Sequence, residues 1–336
     1  MRVLVTGGAG YIGSVSVEAL LAAGHDAFVL DDLSTGRRAA VPAGARLRVA
    51  SYGDEALVGS LLESERVDAI LHCGARSLVG ESVRDPARYY RDNVAGGINL
   101  LEAARRAGVT RLVFSSSAAV YGTPDRSPIP EDSDPHPINP YGETKRAFES
   151  ALAWYGAAYG LRSVALRYFN AAGASDRYGE DHDPETHLIP TVLLAALGRI
   201  ELTVFGDDYP TPDGTGVRDY IHVEDLAQAH LLALQATAPD DLRTGAAEGP
   251  AISLVCNLGG GEGFSVREVL DAAERVVGRK IDHRTGPRRP GDPAVLVASS
   301  ERARSVLGWK PGKETLEEMI GSAWAWRQHH PDGYPA

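Results

Sequence analysis

The chain has 336 residues, enough for one large domain or two intimate ones, and a net charge of −11 from 45 acidic and 34 Lys and Arg side chains. An acidic chain whose basic residues form only local pairs, Arg37–Arg38 and Arg288–Arg289, is a poor wrapper of nucleic acid. Its two cysteines, Cys73 and Cys256, have no paired spacing, and no apolar run nears the ~18 residues of a membrane span, so a reduced, cytosolic protein is expected, without metal, nucleic-acid or membrane partner.

The chain opens on a strand, "RVLVT" (Arg2 to Thr6), with no secretory leader expected before it. "GGAGYIGS" follows, with Gly7, Gly10 and Gly13 at three-residue spacing between that strand and a helix. Such glycines let backbone approach a pyrophosphate, which then sits on the helix N-terminus. "AFVLD" (Ala27 to Asp31) reads as the second strand, ending 18 residues past Gly13 in Asp31. A carboxylate there can accept from the adenosine ribose hydroxyls and repels a 2′-phosphate, which favours NAD over NADP. Arg37 and Arg38 could serve NADP but are less well placed.

"RLRVA" (Arg46 to Ala50), "DAILHC" (Asp68 to Cys73), "RLVFSS" (Arg111 to Ser116) and "RSVALRY" (Arg162 to Tyr168) read as further strands, with helical spacing between them, as in "ARYYRDNVAGGINLLEAARRAG". The alternation predicts an α/β fold of Rossmann type, a doubly wound, mostly parallel sheet covered on both faces. Ligands bind beyond the carboxyl ends of such strands, so Ser115, Ser116 and Ser117 should face the cofactor.

In "NPYGETKRAFE", Pro140 suits the first turn of a helix. Tyr141 and Lys145 then lie one turn apart on one face, beside the serine strand. Alone, the pair would read as a surface helix contact. With the serines and the glycine turn at the same sheet edge, it reads as an acid–base relay. A free phenol, with a pKa of about 10, is a poor base, but a neighbouring ammonium and a bound nicotinamide cation favour the phenolate. A serine hydroxyl could bridge substrate and phenol while hydride moves to NAD.

After Tyr168 the pattern loosens into Gly-, Pro- and Asp-rich stretches. A smaller C-terminal α/β portion is expected, with "RDYIHVEDLAQAHLLALQA" packing back on the first domain and Thr237 to Ala251 as a surface loop. The predicted boundaries are residues 1–168 with about 213–240 for the dinucleotide domain, and 169–212 with 241–336 for the substrate domain.

The motifs "VTGGAGYIGS", "LVGESVRDPARYYRDNV", "VFSSSAAVYG", "NPYGETK", "LRYFNAAGA", "FGDDYPTPDGTGVRDYIHVEDLA", "CNLGGGEGFSV" and "RRPGD" span nearly the full chain. By them the chain resembles the extended short-chain dehydrogenase/reductase family, in its UDP-glucose 4-epimerase branch. The resemblance implies NAD as cofactor, a UDP-hexose substrate, and a homodimer built from helices near Asn93 to Ala107 and Tyr141 to Ala158. It implies Ser117, Tyr141 and Lys145 as catalytic residues. Cofactor contacts would come from Gly7, Gly10, Tyr11, Ile12, Gly13, Asp31, Asp32, Ser51, Tyr52, Cys73, Gly74, Ala75, Ser77, Asp92, Ser115, Tyr141, Lys145 and Tyr168. Substrate contacts would come from Ser117, Tyr141, Phe169, Asn170, His187, Leu188, Phe205, Arg218, Arg289, Asp292 and Leu296. Arg218 and Arg289 offer forked donors for a diphosphate, Phe205 a ring for uracil, and Asp292 an acceptor for a ribose hydroxyl.

The chain departs from the family pattern at Ser51, Ser77 and Asp92, where an acidic residue, a lysine and an asparagine are usual; this bears on cofactor affinity. Leu296 stands where enzymes restricted to glucose and galactose carry tyrosine, so N-acetylated sugars could fit. A 4,6-dehydratase would need Asp-Glu after Ser117, and this chain has Ala118 and Ala119. A non-catalytic dinucleotide sensor would typically lose the tyrosine or lysine, and both are kept. An epimerase of another nucleotide sugar, on UDP or dTDP, stays open.

Overall fold

The computed structural model describes residues 1–239, 253–289 and 292–335. All six expected strands form: β1 (Arg2–Thr6), β2 (Asp26–Asp31), β3 (Arg46–Val49), β4 (Ala69–His72), β5 (Arg111–Ser115) and β6 (Arg162–Tyr168). Between them run α1 (Tyr11–Ala22), α2 (Glu55–Ser64), α3 (Val79–Arg84), α4 (Pro86–Tyr89), α5 (Gly96–Arg106) and α6 (Pro140–Tyr159). The second half supplies β7 (Asn170–Ala172), α7 (Leu188–Ala196), β8 (Leu202–Phe205), β9 (Val217–Arg218), β10 (Tyr220–His222), α8 (Val223–Ala236) and β11 (Ser253–Leu258). It continues with β12 (Phe264–Ser265), α9 (Val266–Val277), β13 (His283–Gly286), β14 (Val295–Leu296) and α10 (Leu316–His329).

The central sheet has the order β11-β6-β5-β4-β1-β2-β3, and every neighbouring pair is parallel. Strand residues alternate between its two faces. Val3, Val5, Val29 and Leu71 pack with Val17 and Leu20 of α1 and with Leu226 and Ala233 of α8. Leu4, Phe28, Leu30 and Ile70 pack the other way, against Val58 and Leu62 of α2, Leu100 of α5, and Phe148 and Leu152 of α6. The order reverses between β1 and β4, which opens a crevice at their carboxyl ends. A third core, with Val192 of α7, Val204 of β8, Val269 of α9 and Ile320 of α10, belongs to the C-terminal portion.

Three features go beyond the sequence reading. Residues 253–258 fall within the expected substrate portion, yet they form β11 and extend the dinucleotide sheet along β6. The anticipated helix from Ala87 onward contains a π-helical turn, Tyr90–Ala95, between α4 and α5. Asn93 in that turn accepts from the Arg76 amide at 2.8 Å and donates to the Arg76 carbonyl at 3.0 Å and to Thr144 Oγ1 at 3.0 Å. These bonds draw the turn toward the crevice, and π-turns are frequent at functional sites. The surface loop read at Thr237 to Ala251 lies outside the described residues from position 240 onward.

Candidate active site

The crevice is the inner end of a cavity of about 1440 Å³ that runs from the β1–α1 turn across β4 and β5 to Arg218 and Arg289. Ligand pockets commonly measure about 300–1,000 Å³, so this one has room for two ligands end to end.

At its inner end the glycines are sterically required. Gly7 has φ +69°, and a Cβ there would lie 2.6 Å from Gly74 in the turn after β4. A Cβ on Gly13 would lie 2.1 Å from the Gly7 carbonyl oxygen. Helix α1 has no side-chain cap and no acidic residue in its first turn, which leaves its N-terminal amides to an anion. Asp31 is buried on the cavity wall. Its Oδ2 accepts from Ala9 N at 3.0 Å and its Oδ1 from Leu33 N at 2.8 Å, which leaves each oxygen a lone pair for a ribose hydroxyl. Burial raises its pKa, against the pull of those two amides. Arg37 turns away and pairs with Asp181 at 3.6 Å. A tight uncapped phosphate turn and an acidic ribose acceptor fit NAD.

The departures are linked. Asp92 Oδ2 accepts from Arg76 Nε at 3.0 Å, so the arginine beside Ser77 neutralises the extra carboxylate. Tyr52 donates to the Asp92 carbonyl at 2.8 Å. Ser51, Tyr52, Ser77 and Asp92 all line the cavity, as do Ile12, Asp32, Cys73, Gly74 and Ala75. Tyr11 lines it too, while its hydroxyl donates to the Gly173 carbonyl at 2.7 Å.

The catalytic candidates sit mid-cavity. Asn139 caps α6 by accepting from Gly142 N at 2.9 Å, and Pro140 opens it, as the sequence predicts. Tyr141 is only 8% exposed; burial raises its pKa, and the adjacent Ser117 hydroxyl pulls it down. Lys145, one turn on, is pushed by burial down to about 8, while Cys73 and Glu149 act the other way. Its ammonium donates to the Ser115 carbonyl at 2.7 Å and lies 5.8 Å from the centre of the Tyr141 ring. It is thus anchored on the strand end beside the phenol.

Of the three serines expected to face the cofactor, only Ser117 lines the cavity. Ser115 lies 2.8 Å from His230 Nε2, and Ser116 donates to Glu149 at 2.5 Å. They hold the strand end in place. Glu149 also pairs with buried Arg167 at 2.6 Å; Arg167 donates to Tyr121 at 2.8 Å, and Tyr121 donates to Asn257 at 2.7 Å. The sequence reading missed this supporting network, because it joins α6, β6, β11 and the turn after β5.

At the outer end, Arg218 of β9 forms an ion pair with Asp292. The Arg289 guanidinium lies 4.2 Å above the Phe205 ring. Asn170 donates to the Asp219 carbonyl at 2.7 Å. Tyr168, Phe169, Asn170, His187, Arg218, Arg289, Asp292 and Leu296 line the cavity; Leu188 and Phe205 do not. Strand β14 pairs Leu296 with Arg218, and Leu296 packs on the cluster of Val120, Tyr121 and Ile129. Burial works against a charged His187 imidazole, but Glu180 and Glu185 hold its pKa above the ordinary value. With His182 these three form a cluster the sequence reading did not single out, although "GEDHDPETH" sets acids and histidines within eight residues.

Residues 3–245 match the model of the NAD dependent epimerase/dehydratase family. The chain is 50% identical to the UDP-glucose 4-epimerase of Lactobacillus helveticus over 99% of both chains. A crystal structure of a UDP-glucose 4-epimerase superposes with a TM-score of 0.93 at 44% identity, over 100% of both chains. The structure of the UDP-glucose 4-epimerase from Bifidobacterium longum in complex with NAD+ and UDP gives 0.90 at 36% identity, over 99% of this chain and 100% of that one. By the family match over residues 3–245 and by these relatives, the chain belongs to the NAD dependent epimerase/dehydratase family, alongside its UDP-glucose 4-epimerases.

Proposed function

We propose that the chain interconverts UDP-glucose and UDP-galactose by oxidation and re-reduction at C4. The carrying observation is that Tyr141, Ser117 and Lys145 share one cavity with a dinucleotide cradle at one end and Arg218 and Arg289 at the other. The C4–H of a sugar is not acidic, so inversion needs a 4-keto intermediate. Bound NAD supplies the hydride acceptor at C4 and the later donor. Tyr141 Oη takes the O4 proton, with the Ser117 hydroxyl bridging, and returns it after the sugar has turned over. Lys145 is the cation beside that phenol. Arg218 and Arg289 hold the diphosphate as the pivot of the turn. Ala118 and Ala119 line the cavity after Ser117 and offer no acid to expel a 6-hydroxyl, which disfavours dehydration.

A coupled assay tests the reading: UDP-galactose in, UDP-glucose detected, with NAD supplied. Tyr141→Phe should lose at least ~10²-fold in kcat. Wild type that binds NAD without converting either sugar would refute it.

Leu296 on the wall supports acceptance of N-acetylated sugars as well. UDP-N-acetylgalactosamine should be converted to UDP-N-acetylglucosamine, separated and detected by chromatography, readily by the wild type and poorly by Leu296→Tyr. A homodimer belongs to the same proposal. Trp154 of α6 is 75% exposed, with Tyr159 on the same helix and Tyr90 before α5 also exposed. Sedimentation should give a dimer, and Trp154→Glu should give monomers. The cytosolic setting is also proposed: Cys73 and Cys256 are unpaired, and among the described residues no helix is long and apolar enough to cross a membrane.

A further inference from the structure

We propose that Glu180, His182, Glu185 and His187, in the loop before α7, form a binding site for a divalent metal ion of the zinc class. One ligand atom from each lies within 4.8 Å of all the others. In a tetrahedral zinc site with arms of ~2.0–2.2 Å, neighbouring ligand atoms stand roughly 3.3 Å apart. The imidazole–carboxylate contacts, which use both Glu185 oxygens and serve as ion pairs without a metal, lie around that value: His187 Nδ1 to Glu180 Oε1 is 2.7 Å, His182 Nδ1 to the same oxygen 3.0 Å, His187 Nδ1 to Glu185 Oε1 3.2 Å, and His182 Nδ1 to Glu185 Oε2 4.0 Å. Small side-chain shifts suffice to close the set around one ion.

A second observation points to a ligand. The Glu185 side chain is 7% exposed, and its Oε2 is buried without a hydrogen-bond partner, facing His182. A buried carboxylate oxygen left unsatisfied is costly, and a cation would satisfy it. Two imidazoles and two carboxylates suit Zn²⁺ or Co²⁺ better than Mg²⁺ or Ca²⁺, which prefer oxygen throughout. Without an ion the carboxylates hold protons on the imidazoles; a divalent ion would displace those protons and itself offset the two carboxylate charges. The bound ion would fix the loop and set His187 on the cavity wall. The proposal does not rest on the epimerase reading.

Zn²⁺ binding to chelator-stripped protein is measured by competition with a chromophoric chelator, and the geometry by the visible absorption of the Co²⁺ form. One Zn²⁺ per chain is expected, with tetrahedral Co²⁺ bands and a rise in Tm on adding Zn²⁺. His182→Gln and Glu185→Gln, tested separately and each checked by circular dichroism, should weaken binding at least about tenfold. Absence of Zn²⁺ binding and of any Tm shift in the folded wild type would overturn the proposal without reference to a variant. Zn²⁺ affinity unchanged in either folded variant would do the same, and would place any bound ion elsewhere.

Discussion

Asp92 puts a negative charge on the wall of a cavity whose inner end is shaped for a diphosphate, and Arg76 cancels it at 3.0 Å. The two residues act as one unit. Arg76→Ala should raise the Kd for NAD about tenfold, equal to ~1.4 kcal/mol, by leaving the carboxylate only the more distant Arg88 at 4.0 Å. Asp92→Asn in the same background should recover most of the loss. Equal weakening in single and double variants, by calorimetric titration, would break the link. Asp92 was visible in the sequence as a departure; its compensation was not, because Arg76 and Asp92 are 16 positions apart and meet only where the π-turn brings them together. Tyr141 and Lys145 were legible because helical spacing alone places them on one face. Serine orientation was not: Ser115 and Ser116 have the same side chain as Ser117, and only their partners His230 and Glu149 show that they face inward.

Helix α6 does more than present its tyrosine. Its buried Glu149 holds Arg167 of β6 and the Ser116 hydroxyl, which ties helix, strand and catalytic turn together. Removing one member of a buried pair leaves an uncompensated charge. Glu149→Ala should therefore cost ~3–5 kcal/mol, read as a lower urea midpoint. Glu149→Leu with Arg167→Met should recover much of it, since a buried pair replaced by apolar groups is often neutral. The single variant should also reduce kcat, because Ser117 follows the turn that Ser116 fixes. At this scale the six N-terminal strands could be read from their apolar runs. Strand β11 was not placed in the sheet: "SLVCNL" follows β6 by 84 residues (169–252) and carries an interior asparagine, whose side chain is satisfied only by Tyr121 and the Ile129 carbonyl at 2.7 and 2.8 Å.

Across the whole molecule, three histidines are buried in neutral form. Burial pushes His72 down to about 3, and His222 and His230 to about 4, with Lys145 adding to the shift at His72 and Lys313 at His222. Between pH ~6.5 and about 4 the unfolded chain holds these protons and the folded chain does not, so stability falls as the solution is acidified. Each group contributes roughly 1.4 kcal/mol per pH unit in that window. Urea midpoints should drop steeply from pH 6.5 to 5; a flat profile would refute this. The parallel pairing of β11 with β6 has a further consequence, which concerns synthesis. Residues 169–252 separate the two strands, so a nascent chain completes β6 while its partner is still on the order of ten seconds from emerging, at ~5–20 residues per second. Until then an apolar strand edge stands open to other chains, the kind of edge that seeds aggregation. A fragment ending at residue 239 should precipitate where the full chain stays clear, which makes the last third of the polypeptide the guardian of the first half during its own production.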